Sequence, residues 1–355
     1  MVDSMKINVN RVEKSRIGEV DFDNISFGKI YSDHMFRASY KNGQWNTFDI
    51  IPFGSLSISP ASQTLHYGVS VFEGMKAYKN EQGQPVLFRP LENQRRLNRS
   101  AERLCIPALP EEIFMEGLTQ LLKMDQAWIP GQENTALYVR PFIFSTEEYI
   151  GIKTSDSFDF LIITSPVGAY YSAPVKVKIE MEFARAVRGG TGYAKAAGNY
   201  AGSLYPAKLG QQQGYDQLIW TDGQEHKYIE EAGTMNLMFV IDDVLVTPEL
   251  TDTLLHGITR DSILTLARDM GIPVEERKIT VNEVVSSLQQ GNMTDAFGVG
   301  TAATLTHISV IGYEGTDYIL PPVQERTISN RLKETLENIK KGRAEDKFGW
   351  VVPVI

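Results

Sequence analysis

The run Gly192-Tyr193-Ala194-Lys195-Ala196-Ala197-Gly198-Asn199-Tyr200 sets one lysine among small residues, and Glu231-Ala232-Gly233-Thr234-Met235-Asn236 supplies an acid 36 positions after that lysine. A lysine flanked by small side chains can bring its amine against a flat ring, where partial burial favours the neutral, nucleophilic amine. Such an amine captures an aldehyde cofactor. A carboxylate at the other edge of the ring would keep a pyridine nitrogen protonated and make the ring an electron sink for an amino-acid carbanion. Either residue alone reads more simply as a solvated loop side chain, but together they point to pyridoxal phosphate.

A phosphate needs its own anion site, and two segments offer one. Leu255-His256-Gly257-Ile258-Thr259-Arg260-Asp261-Ser262-Ile263 has a turn glycine, an N-cap threonine and an acid in the first turn. An apolar face then continues through Leu264, Leu266 and Ala267 to the stop signals Gly271 and Pro273, so a helix is predicted to begin here with unsatisfied N–H groups. Gly298-Val299-Gly300-Thr301-Ala302-Ala303-Thr304 is a second backbone cradle carrying a hydroxyl. A guanidinium would add charge; Arg96 is a candidate, with Arg95, Arg99 and Arg103 as rivals that spacing does not separate. No residue set calls for a metal.

The elements that must position these residues are legible in outline. Leu56 to Lys79 is rich in β-branched and aromatic residues and broken by Pro60 and Gly68, which predicts strands with turns. Helical spacing runs from after Arg89-Pro90 to near Cys105, and again from Pro110 through Ile113, Phe114, Leu118, Leu121 and Leu122. Ala136 to Phe144 and Phe158 to Thr164 read as buried strands, and the proline-bracketed stretch 166–174 as an interdomain linker. Beyond it, strands are predicted at Gln217 to Trp220 and Leu237 to Val246, and helices at Asp261 to Met270 and Glu325 to Lys340. Strands and helices recur without a strict βαβ alternation, so two α/β domains are expected rather than one doubly wound sheet.

Composition narrows the setting. A chain of 355 residues, 42% hydrophobic and 22% charged, can build two domains with proper cores. The net charge of −9, with no run of Lys or Arg, argues against nucleic acid or an anionic membrane as partner. The N-terminus lacks a basic region followed by an apolar stretch, so a cytosolic protein is expected. Cys105 is the single cysteine, which forbids an internal disulfide; its helical spacing from Ala101 predicts a buried core thiol.

The ordered motifs resemble one family closely, the branched-chain amino-acid aminotransferases of the pyridoxal-phosphate fold-type IV class. The resemblance runs through Leu65-His66-Tyr67-Gly68, Val71-Phe72-Glu73-Gly74, Leu87-Phe88-Arg89-Pro90, Tyr138-Val139-Arg140-Pro141 and Pro166-Val167-Gly168-Ala169-Tyr170. It continues through 195–200, 231–236, Gly257 to Arg260, Gly300 to Ala302 and the late Gly349-Trp350. It implies a smaller N-terminal α/β domain at 1–165, the linker at 166–174, and a larger pseudo-barrel-like cofactor-binding domain at 175–355.

Roles follow from the resemblance. Lys195 would hold the cofactor as a Schiff base and shuttle a proton between the substrate Cα and cofactor C4′. Glu231 would pair with the pyridine nitrogen and Tyr200 with the phenolic oxygen, while Thr234 would lie beside the cofactor and Leu255 against its ring. Arg96 becomes the phosphate arginine, joined by the backbone of Ile258 and Thr259 and by Thr301. Tyr138 with the N–H groups of Thr301 and Ala302 would take the substrate α-carboxylate. Phe27, Tyr67, Phe72 and Tyr170 would wall an apolar pocket, although such aromatics are more often simple core. Arg140, assisted by Tyr67 and Tyr170, would meet the distal carboxylate of glutamate.

The family also implies a homodimer or higher homo-oligomer in which Ile150 and Ile152 act on the other subunit's pocket. The implied reaction moves the amine of leucine, isoleucine or valine to 2-oxoglutarate, giving glutamate and a branched-chain 2-oxo acid. A D-amino-acid aminotransferase or an aminodeoxychorismate lyase would share the lysine and glutamate. A non-catalytic paralogue is the rival from another class. Animal mitochondrial members carry a Cys-x-x-Cys pair after the Gly-Thr-Ala motif; Ala303 and Thr306 stand there in this chain, so thiol regulation at that place is not expected.

Overall fold

The computed structural model describes residues 5–168, 170–171 and 173–354. Ala169 and Ser172 of the expected linker therefore lie outside the described residues. The chain divides into two compact units. The first comprises Met1–Tyr170, Ala194–Ala197 and Asn338–Ile355, the second Tyr171–Tyr193 and Gly198–Glu337. The division is thus discontinuous in sequence, and Lys195 belongs to the first unit.

The first unit is built on a nine-stranded sheet. Its centre is the long antiparallel pair Ala136–Ser145 and Phe158–Val167, flanked by His34–Lys41 on one side and Met75–Lys79 on the other. Both central strands read as near-continuous apolar runs because both faces are covered. The helices Pro90–Arg103 and Glu111–Met124 supply one cover, packing Leu97, Phe114, Leu118 and Leu121 into a core with Phe36, Ile50 and Phe160. A Cβ at Gly117 would overlap the ring of Phe36, so this glycine lets the second helix close on the sheet.

Two expectations are corrected here. The 56–79 stretch is not all strand and turn, since Gln63–Tyr67 forms a short helix ended by Gly68 in the left-handed region (φ 62°). Cys105 is not a core thiol: it is exposed, beyond a helix that stops at Arg103. The cause is a Schellman ending. Ile106 N–H bonds Ala101 O at 2.9 Å, Cys105 N–H bonds Glu102 O at 3.0 Å, and Cys105 takes the left-handed position (φ 56°) usually filled by glycine. Helical spacing carried past that point therefore buries the wrong residue.

The second unit contains a closed barrel of six strands. Going round the ring these are Ile229–Ala232, Gln217–Thr221, Val175–Ile179, Thr304–Tyr313, Met293–Gly300 and Met235–Ile241, and the pairing of Glu231 with Asn236 closes it. Val175–Ile179 runs parallel to both of its neighbours, while the other ring pairs are antiparallel. Leu237, Phe239, Ile219, Val177, Ile308 and Ala296 fill one core. Leu237 to Val246, expected as a single strand, is a hairpin of Met235–Ile241 and Val244–Pro248. Asp242 (φ 50°) and Asp243 (φ 62°) make its turn, since aspartate tolerates the left-handed region. Helices Ile258–Asp269 and Val281–Gln290, with all but the ends of Ala197–Gln212 and Thr327–Lys340, complete this mixed α/β unit.

Candidate active site

In the first unit, Lys195 is fixed by its backbone. Its N–H donates to Ser100 Oγ at 2.9 Å, its carbonyl accepts from Phe72 N–H at 3.0 Å, and Ala196 bridges to Val71. Ala194 and Ala196 are buried, so small residues are required on either side of the half-buried lysine. Lys195 Nζ stands 4.8 Å from the centroid of the Phe72 ring.

The four arginines that spacing could not rank are separated by burial. Arg96 is buried, Arg95 is exposed and bonded to Glu92 at 2.6 Å, Arg99 is exposed and Arg103 half-buried. Arg96 is held in a bidentate pair, Nε to Glu73 Oε1 at 2.7 Å and Nη2 to Glu73 Oε2 at 2.8 Å. Glu73 is fully buried and also accepts from Asn93 Nδ2 at 2.8 Å and Gly74 N–H at 3.1 Å. Burial pushes the Glu73 carboxyl up, but the Arg96 guanidinium, with Lys195 and Asn93, holds it below the usual carboxylate range.

An aromatic and cationic group lies along the same sheet. Arg140 Nη2 donates to Tyr138 Oη at 2.8 Å, and its guanidinium lies 4.6 Å from the centroid of Phe72. Phe27 meets Tyr138 edge-on at 5.2 Å and Tyr170 at 4.9 Å. A Cβ at Gly74 would overlap Tyr138 Oη, so that glycine makes room for the hydroxyl. Tyr67 sits apart, its hydroxyl donating to the carbonyl of Ile150, whose side chain, like that of Ile152, is exposed.

In the second unit, Glu231 Oε1 accepts from Leu255 N–H at 2.7 Å and Asn236 Nδ2 at 3.0 Å, and its Oε2 pairs with Arg185 Nη2 at 3.0 Å. Asn236 Nδ2 also reaches Leu255 O at 2.9 Å. Glu230 and Glu231 point to opposite faces of one strand. Glu230 Oε1 accepts from Thr253 Oγ1 at 2.5 Å, burial pushes its carboxyl up, and it lines a separate cleft of about 780 Å³.

The predicted anion segments also belong to this unit. The helix Ile258–Asp269 has Gly257, not a threonine, as its N-cap, with no side-chain cap; Thr259 lies inside the first turn. A Cβ at Gly257 would overlap Asn236 Oδ1, so the glycine seats the helix start against the Glu231 network. Thr301 and Ala302 form the turn between Met293–Gly300 and Thr304–Tyr313, and a Cβ at Gly300 would lie 3.8 Å from Thr234 O. Tyr200 is half-buried on the helix Ala197–Gln212.

Glu73, Ser100, Arg185 and Asn236 were given no role by the sequence. Only Glu73 and Asn236 lie inside quoted motifs, and no spacing rule joins Arg185 to an acid 46 positions later.

The class IV amino-transferase family matches residues 70–311, and the chain belongs to that family. It is 44% identical over 338 residues to branched-chain-amino-acid aminotransferase 2 of Bacillus subtilis, covering 94% of this chain and 93% of that protein. The fold is similar to that of the branched-chain aminotransferase of Thermoproteus uzoniensis with norvaline, at TM-score 0.75 and 28% identity, covering 91% of this chain and all of that one. It is also similar to the branched-chain amino acid aminotransferase of Escherichia coli, at TM-score 0.73 and 28% identity, covering 91% of this chain and 99% of the other.

Proposed function

We propose that the chain transfers amino groups between branched-chain L-amino acids and 2-oxoglutarate, using pyridoxal phosphate. The observation that carries this reading is the fixed Glu231 carboxylate, held by Arg185, Asn236 and Leu255 N–H in a chain that also presents a half-buried lysine among alanines. The donor set fits the cofactor: a lysine amine, a buried carboxylate, a buried arginine, and a helix start without a side-chain cap. Bound pyridoxal phosphate supplies an aldehyde that captures an amine and a ring that accepts electrons.

The residues then divide the work. Lys195 would hold the cofactor through its amine and would move a proton between the substrate Cα and cofactor C4′. Glu231 would hold the proton on the pyridine nitrogen, Tyr200 would bond the phenolic oxygen, and Leu255 and Thr234 would hold the ring. Arg96 in the first unit, and in the second the helix start at Ile258 and Thr259 together with Thr301, are each groups that would serve a phosphate. Tyr138 in the first unit, and the Thr301 and Ala302 N–H groups in the second, would each serve a substrate carboxylate. Phe27, Phe72, Tyr67 and Tyr170 exclude water around the branched side chain, and Arg140 offers a cation to the distal carboxylate of glutamate.

The same reading makes the protein a cytosolic homodimer. Leu65 (60%), Ile150 (66%) and Ile152 (92%) are exposed apolar side chains near the Tyr67 hydroxyl contact, as a segment that acts on a second subunit requires. Among the described residues no helix is long and apolar enough to cross a membrane.

The test is a panel of L- and D-amino acids, read from the visible spectrum of the holoenzyme in single half-reactions. Conversion by leucine, isoleucine, valine and glutamate is expected. Conversion by D-amino acids alone would overturn the reading. Lys195→Ala should remove both turnover and the borohydride-trapped adduct while leaving a folded protein.

A further inference from the structure

Arg96 and Lys195 are joined by a closed circuit of contacts. Glu73 grips the Arg96 side chain; Ser100 Oγ donates to Arg96 O at 3.0 Å and accepts from Lys195 N–H at 2.9 Å; Lys195 O accepts from Phe72 N–H; and Phe72 leads back to Glu73. Glu73 is the one acid of this circuit, paired with Arg96 and acted on by the Lys195 charge. Oε1 takes Arg96 Nε, and Oε2 takes Arg96 Nη2, Asn93 Nδ2 and Gly74 N–H. A carboxylate so fully donated to is a poor proton carrier and a good fixed charge.

We propose that Glu73 is a positioning residue for the cofactor: its carboxylate fixes the plane of the Arg96 guanidinium for the phosphate and acts as the buried counter-charge of Lys195. This rests on the reading of the chain as a pyridoxal-phosphate enzyme. A guanidinium carries five N–H donors in one plane, and the bidentate pair commits its Nε edge, which fixes the direction of the rest. Removing the Glu73 charge would take a buried counter-charge from both Arg96 and Lys195, a loss that costs far more there than in water. The downward push that both cations exert on the Glu73 carboxyl reports the same coupling from the acid's side.

The test compares apoprotein binding of pyridoxal phosphate with that of pyridoxal, which lacks the phosphate, by fluorescence titration of wild type, Glu73→Gln and Glu73→Asp. Glu73→Gln keeps the shape and removes the charge. It should weaken pyridoxal phosphate roughly ten- to a hundredfold and pyridoxal much less, since the loss passes through Arg96. The pH midpoint of the holoenzyme's visible spectrum should fall by roughly one unit, because a negative charge favouring the protonated linkage is gone. Glu73→Asp keeps the charge but shifts the guanidinium, so it should lose phosphate-specific affinity while keeping the midpoint. Should Glu73→Gln not fold, Glu73→Asp carries the test alone.

Equal losses for the two ligands, or none in any variant, would overturn the positioning role, as would an unchanged midpoint in Glu73→Gln. Adding Glu73→Gln to Arg96→Gln should cost little further phosphate-specific affinity; an additive loss would mean the two act separately. A wild-type protein that bound neither ligand would instead remove the cofactor reading itself.

Discussion

Arg185 Nη2 lies 3.0 Å from Glu231 Oε2, with both side chains more than nine-tenths buried. The guanidinium also donates to the carbonyls of Gly192 and Thr253, which ties the segment just before Lys195 to the one just before Leu255. The pair is part of the framework that fixes the carboxylate, as well as a charge beside it.

Removing the cation should therefore be costly. Arg185→Met leaves Glu231 buried without its counter-charge, and the expected destabilisation is roughly 3–5 kcal/mol, read as a lower urea midpoint. Glu231→Gln keeps the size and the bond from Leu255 N–H but leaves Arg185 without its counter-charge, so stability should also fall, and in the protein that remains folded the single-turnover rate with leucine should fall steeply. An unchanged rate would mean that another acid plays this part.

Gly257→Ala tests the helix start. The added methyl overlaps Asn236 Oδ1, and Asn236 bonds both Glu231 and Leu255 O. A loss of about 1–3 kcal/mol is expected by thermal denaturation, together with weaker pyridoxal phosphate binding. A variant of wild-type stability and affinity would show that Asn236 moves without consequence.

Arg140 is the residue proposed to distinguish the two substrates. Its bond to Tyr138 Oη and its stacking on Phe72 hold the guanidinium in place, and its Nε is buried with no hydrogen-bond partner. A hydrogen bond to a charged group contributes roughly 1.5–3 kcal/mol, so Arg140→Gln should slow the glutamate half-reaction about ten- to a hundredfold. Leucine makes no such contact and should change far less. Equal slowing in stopped-flow measurements would mark Arg140 as structural.

Acid stability should depend on His307. Burial, then the charges of Lys333 and Arg326, push this imidazole down from 6.5 to about 4, and its Nε2 lies 3.0 Å from Ser329 Oγ. Between those pH values the unfolded chain holds the proton and the folded chain does not. Stability from this group therefore rises with pH across the window and is lost as pH falls through it, by on the order of 3 kcal/mol. His307→Gln should flatten that part of the urea-midpoint profile between pH 6.5 and 4. A slope equal to wild type would assign the acid sensitivity to carboxylates instead.

Cys105 shows how far local pattern carries. The apolar period Leu97, Ala101, Leu104 is real, and it correctly predicted the helix Pro90–Arg103. Where a helix ends, however, depends on which carbonyls find donors, and the Schellman bonds of Cys105 and Ile106 turned the thiol outward. The Asp242-Asp243 hairpin was missed for a related reason, because two short apolar strands and one long one look alike until a turn reverses the chain.

The chemistry on offer is already present in the order of residues. A lysine among small residues, an acid 36 positions on, two glycine-bearing cradles and a mixed strand and helix pattern are properties of residue type and spacing. Tertiary structure alone decided the pairings that set their charge and direction. Arg96 rather than its three neighbours became the buried cation because its helix faces that side inward onto Glu73, 23 positions earlier. Glu231 rather than Glu230 pairs with Arg185 because a strand sends adjacent side chains to opposite faces, and Glu231 is the one whose carboxylate reaches that guanidinium at 3.0 Å. Spacing displays an ionisable group, but its partner is chosen by burial, which is a property of the whole fold.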